Sequence, residues 1–156
     1  MRILGTLTIL LYCVIGYSEI NYGVETSNKI DMDVLSIIES SSNPKAVNKK
    51  SGAVGLYQIT PLCLRDYNKA MQKCYTMQDM LEGDKNYIVA AWYIQYAIPK
   101  YLKYYDIPPN ESAILAAYNA GIKRLVNYTF GKVKLPQETI NYIAKYKTLK
   151  GVNNGG

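Results

Sequence analysis

Proline, glycine and short capping side chains cut this chain into helical segments and leave one irregular stretch, from Ser42 to Thr60. Met32, Leu35 and Ile38, with Val34 and Ile37, recur at helical spacing from an Asp31/Asp33 start until Asn43-Pro44 stops them. The irregular stretch, rich in Asn, Pro, Lys, Ser and Gly, predicts loops and a small β-hairpin. Thr60-Pro61 reads as a cap followed by proline at the first helical position, opening a helix to about Lys73. Thr76 to Asp79 resembles a short capped turn. Asp84 opens a long helix through Ile88 and Trp92 to about Tyr105, with a kink expected at Pro99. Pro108-Pro109-Asn110 begins another, which Gly121 ends. A short helix carries Leu125-Val126, and Pro136 starts a last one expected to finish before Gly151. The fold class is mostly α (α+β), one domain over residues 19–150, with a frayed tail at 151–156.

The chain contains no histidine among its 156 residues. Ser-His-Asp and Cys-His catalysis are therefore excluded, as are metal sites that need imidazole. Acid–base work must fall to Asp, Glu, Tyr, Lys or Cys. With 49% hydrophobic and 19% charged residues, the chain is not a disordered one. Its net charge of +6 favours a polyanionic partner: nucleic acid, an acidic membrane surface or an acidic cell-wall polymer. A lysine-rich solvated surface with no such partner would give the same charge.

Residues 1–18 read as a secretory signal rather than as fold. Met1-Arg2 precedes a mostly apolar run from Ile3 to Gly16, shorter than the roughly 20 residues that span a bilayer. Small residues at Gly16 and Ser18 place the expected cleavage near Ser18. A retained membrane anchor is the alternative, and the only route to a membrane. Bulky Tyr12 before Cys13 argues against a lipid-modified cysteine. The expected location is outside the cytoplasm, in a periplasm or cell wall. An oxidising compartment allows Cys63 and Cys74 to form a disulfide, with two buried free thiols as the alternative. No third ligand accompanies them, so they do not suggest a metal site.

Glu39 is the residue with a chemical reason to stand out. It falls in the last turn of the first helix, directly after Ile37-Ile38. The negative end of the helix dipole disfavours a carboxylate there, and apolar neighbours desolvate it. Both effects raise its pKa and keep the acid protonated near neutral pH. A solvated helix-end glutamate is the competing reading.

The surrounding residues favour the first reading. Glu39-Ser40-Ser41-Ser42-Asn43-Pro44-Lys45-Ala46, then Gly52-Ala53-Val54-Gly55-Leu56-Tyr57-Gln58-Ile59-Thr60-Pro61, resembles the first motif of the soluble lytic transglycosylases. Ala116-Ala117-Tyr118-Asn119-Ala120-Gly121 and Pro136-Gln137-Glu138-Thr139-Ile140-Asn141-Tyr142 match two further motifs in the expected order. Asp84-Lys85-Asn86 fits a fourth region weakly. The likeness covers Ile30 to Tyr146, nearly all of the chain after residue 18.

That resemblance implies a lysozyme-like SLT domain that cleaves the β-1,4 bond between N-acetylmuramic acid and N-acetylglucosamine in peptidoglycan. Glu39 would act first as general acid, then as base for the sugar's own C6 hydroxyl, closing a 1,6-anhydro ring. A conventional glycosidase needs a second carboxylate; this route needs none, and no cofactor or metal. By the same resemblance Ser40 would bond near the acid and the substrate's N-acetyl group, and Gln58 would bind sugar from the hairpin. Tyr118 and Asn119 would orient Glu39 and the N-acetyl carbonyl, and Tyr142 would reach back toward the acid. Tyr118 and Tyr142 would otherwise be half-buried core tyrosines.

Three positions depart from the family pattern. The loop from Asn48 to Gly52 is one residue longer than common versions. Ser42 stands where phenylalanine is frequent, and Tyr57 replaces a frequent methionine. Tyr93, Tyr96, Tyr101, Tyr104 and Tyr105 offer faces for sugar stacking, although helix packing is their simpler use. A lone domain of this kind resembles the small transglycosylases that accompany secretion, conjugation or pilus machinery. A hydrolytic lysozyme and a non-catalytic peptidoglycan-binding protein are the alternatives. No nucleic-acid motif appears.

Overall fold

Asp31 caps the first helix as its place before the apolar run predicts. Its Oδ1 accepts the backbone N–H groups of Asp33 and Val34 at 3.0 and 3.1 Å, and α1 runs Met32–Ser40. The computed structural model describes residues 29–153. The apolar leader at 1–18 and the end of the expected tail lie outside the described residues. Ser41 and Ser42, with φ of 54° and 57°, then reverse the chain.

The irregular stretch forms the expected hairpin. β1 (Val47–Asn48) pairs antiparallel with β2 (Ala53–Val54), Val47 opposite Val54 and Asn48 opposite Ala53. Thr60 accepts the Cys63 N–H at 3.2 Å and caps α2 (Pro61–Met71). Thr76 and Asp79 cap each other's backbone ahead of a single 3₁₀ turn, Asp79–Leu81. Then follow α3 (Gly83–Trp92), a π-helical turn (Tyr93–Ala97) and α4 (Ile98–Tyr104). Asn110 caps α5 (Glu111–Ala120), and α6 (Ile122–Thr129) and α7 (Gln137–Asn153) complete the described chain. The architecture is mostly α with one small hairpin, as predicted. None of the described helices is long and apolar enough to cross a membrane.

Three local expectations change. The long helix is distorted before Pro99 rather than at it. Proline has no N–H to give the Gln95 carbonyl, and its ring crowds that oxygen. The preceding turn widens in response, and the Ile98 N–H bonds back five residues to the Tyr93 carbonyl. The last helix runs on through Gly151 to Asn153 instead of ending before that glycine. Glycine lowers helix propensity by about 1 kcal/mol without forcing a stop.

Cys63 and Cys74, expected to be bridged, are both free. Cys63 is buried in the first turn of α2, whereas Cys74 is exposed beyond the other end of that helix. The rest of α2 after Cys63 rises about 12 Å, well beyond the roughly 7 Å between Cα atoms that a disulfide tolerates.

The core joins α1, α3 and α5. Val34, Leu35, Val89, Ala90, Leu115 and Ala117 all sit in it with no more than 1% of their surface exposed. α5 packs on α6 and α7, and α7 on α1. Fully buried Tyr146 of α7 accepts the Asp31 N–H at 2.6 Å and so fixes the start of α1. Lys150 of α7 pairs with Glu111 of α5.

Candidate active site

The last turn of α1 carries Glu39 to where the hairpin loop, the end of α5 and α7 meet. Burial pushes its carboxyl up from 4.5 to about 7, against the opposing pull of a hydrogen bond from Tyr142. The Tyr142 hydroxyl donates to Oε1 at 2.5 Å. Burial first, and the Glu39 charge second, push the Tyr142 phenol far above its ordinary value. Tyr142 therefore remains a donor at every physiological pH. Because it occupies Oε1, the acidic proton is left to Oε2. Among the described residues, no other carboxylate contributes to the state of Glu39.

The remaining expected site residues hold the walls together. Tyr118, expected to help orient Glu39, makes no hydrogen bond to it. Its hydroxyl donates to the Tyr57 carbonyl at 2.6 Å, tying α5 to the hairpin loop. Glu39 is nonetheless close enough for its charge to add to the burial that raises the Tyr118 phenol. Asn119 accepts from the buried Thr139 hydroxyl at 2.8 Å, which joins the end of α5 to α7. Its amide N–H groups are left for a ligand.

Ser40 donates to the Leu56 carbonyl at 2.8 Å and accepts the Asn43 N–H at 3.1 Å. Its single proton is spent on that link, so it fastens α1 to the hairpin loop. Gln58, at φ 49°, turns its amide nitrogen back onto the Gly55 carbonyl at 3.0 Å. That leaves its Oε1 as the group able to meet a ligand.

Tyr57, which stands where the family often has methionine, turns its side chain into the core. Its side chain is 4% exposed and meets the edge of Tyr87 at 5.9 Å between centroids. Its main chain is what the site uses. The Tyr57 N–H bonds to Oδ1 of Asn86 at 2.9 Å, while its carbonyl takes the Tyr118 hydroxyl.

Asn86 is the residue the sequence reading undervalued. It is fully buried, and its amide nitrogen donates to the Val54 and Met80 carbonyls, both at 2.8 Å. Gly55 makes room for it: a Cβ there would lie 2.1 Å from Nδ2 of Asn86 and 2.2 Å from the Met80 carbonyl. Gly55 also has φ +83°. The available signal was a lone amide on the apolar side of α3, within the weak Asp84-to-Asn86 likeness.

Chemically, the arrangement is one neutral carboxylic acid poised near pH 7, with a fixed donor ready to hold its conjugate base. It suits donating a proton and then taking one back. Among the described residues, no cluster of cysteines and carboxylates is placed to hold a metal ion. The family model described as the transglycosylase SLT domain matches residues 25–141 of this chain. A search of the curated proteins finds no match.

Proposed function

Because the chain belongs to the transglycosylase SLT-domain family, a family of peptidoglycan lytic transglycosylases, we propose that Glu39 cleaves the MurNAc-β-1,4-GlcNAc bond by an intramolecular route. Protonated Glu39 gives its proton to the glycosidic oxygen as the bond to C1 of the muramic acid breaks. The N-acetylglucosamine leaves with a new hydroxyl. The Tyr142 hydroxyl holds the resulting carboxylate on Oε1. That carboxylate then takes the proton of the muramic acid's C6 hydroxyl, whose oxygen closes on C1 as a 1,6-anhydro bond. Glu39 ends protonated, and no water is consumed.

One observation carries this reading: a buried carboxyl held at about 7 with no second carboxylate acting on it among the described residues. Hydrolytic glycosidases ordinarily work with an acid and a partner carboxylate. Asn119 and Gln58 are the residues we assign to the sugar, through the amide groups that their internal bonds leave over. The leader-like segment at 1–18 supports export to the compartment where peptidoglycan lies. There the enzyme would open a local gap in the wall, as a secretion or conjugation apparatus requires.

Mass spectrometry of muropeptides released from purified peptidoglycan tests the reaction. Anhydromuramic ends are expected. Reducing ends alone would make the protein a hydrolase, and an absence of products would leave it a binding protein.

A further inference from the structure

Two adjoining cavities, of about 760 and 670 Å³, share Asp66, Tyr93 and Tyr101 and form one trough. It lies between α2, the π turn with α4, and the α5–α6 junction. One end reaches Gly121, directly after the helix end that carries Tyr118 and Asn119. The ring of Tyr93 in the trough packs against Tyr118 at 6.0 Å between centroids.

The π turn builds one wall. Trp92, Tyr96 and Lys100, and alongside them Tyr93, Ala97 and Tyr101, all line the trough at intervals of four residues. In a regular α-helix such positions drift by about 40° at each step. The wider turn set by Pro99 takes up that drift and keeps both rows facing the same way.

The lining leaves large apolar groups in water. Leu62, Met71, Tyr101, Tyr105 and Phe130 are each between 39% and 57% exposed. Apolar surface gathered in this way, with polar residues at its rim, marks a contact site. The rim is basic: Lys69, Lys100, Lys123 and Lys132 stand against one acid, Asp66, which already pairs with Arg65. Among the described residues, no carboxylate pairs with any of the four lysines.

We propose that this trough binds the acidic stem peptide of the peptidoglycan strand whose glycan is cut at Glu39, an inference that rests on the proposed function. Its occupant should be flat or aliphatic along its length and carry several negative charges. The sugar rings offer apolar faces but little charge. The stem peptide has alanine methyls for the aromatic wall and free carboxylates for the lysines. It also leaves the glycan sideways, as a trough running off from Gly121 requires.

The test compares soluble peptide-substituted glycan strands with the same strands stripped of their peptides by an amidase. For the exposed pair K123A/K132A, and separately for Y101A, KM on substituted strands should rise about tenfold. The rise on stripped strands should be several times smaller. Unchanged melting temperatures would show that both variants are folded. An equal rise on both substrates would make the trough a sugar subsite and overturn the proposal, and no rise on either would remove it from the reaction. If the unaltered protein cleaves neither substrate, the enzymatic reading falls and takes this one with it.

Discussion

The hydroxyl of Tyr142 stands 2.5 Å from Oε1 of Glu39, across 103 residues of sequence. The acid and the group that holds its charge thus come from opposite ends of the domain. The strength of that contact is what sets how acidic Glu39 can be, since burial alone drives its pKa upward.

Replacing Glu39 by Gln keeps the shape and removes the proton. We expect E39Q to lose about 10²–10⁴-fold in cleavage of purified peptidoglycan, with unchanged circular dichroism. Full activity in E39Q would remove Glu39 from the mechanism.

Activity should fall as pH rises through about 7, because the proposed reaction starts from protonated Glu39. Stability has the same sign. A carboxyl raised from 4.5 to about 7 on folding binds more protons folded than unfolded, so wild-type stability is lost as pH climbs across that window. The loss should amount to about 3 kcal/mol. It should be absent in E39Q, as urea titrations at pH 4 and pH 8 would reveal.

Removing the Tyr142 hydroxyl takes away the one interaction that lowers the Glu39 pKa. In Y142F the alkaline limb of the pH–rate profile should move up by about one pH unit. Its maximum rate should drop, because the conjugate base loses its donor. A profile with an unmoved limb would make Tyr142 a packing residue only.

Asn86 and Gly55 should behave as one structural unit. N86A leaves the Tyr57 N–H without its partner and takes a donor from the Met80 carbonyl and from the Val54 carbonyl, which keeps the Ile59 N–H, at a cost of about 3 kcal/mol. G55A drives a methyl into the same amide from a positive-φ backbone and should destabilise at least as much. Denaturant midpoints measure both.

Thiol labelling separates the two cysteines. Cys74 should react in the native protein, whereas Cys63, buried and with its thiol pushed up to about 12, should react only on unfolding. Protection of both thiols would restore the disulfide reading.

Much of this was legible because it is local. Asp31, Thr60 and Asn110 announce their helices by capping chemistry that needs only the next three residues. Glu39 was legible for the same reason: helix end and apolar neighbours are both visible in the chain. What stayed hidden depends on partners far away in sequence. Ser40 and Tyr118 were expected to serve the ligand and the acid, but the carbonyls of Leu56 and Tyr57 claim their hydroxyls. The weight carried by Asn86 appears only once Val54, Tyr57 and Met80 surround it. The π turn was half legible. Proline told of a break, but which turn would absorb it is decided by how the flanking helices pack.

The helix that carries Glu39 is held at both of its ends by one other helix. Tyr146 grips the N–H of Asp31, and Tyr142 grips Glu39. Those tyrosines lie in the last described helix, so a chain emerging from the ribosome has long since made its glutamate before it makes the clamp. Until α7 docks, α1 has neither its anchored start nor the donor that holds the carboxylate. On the proposed function, the docking of α7 is therefore the step that completes the site around Glu39.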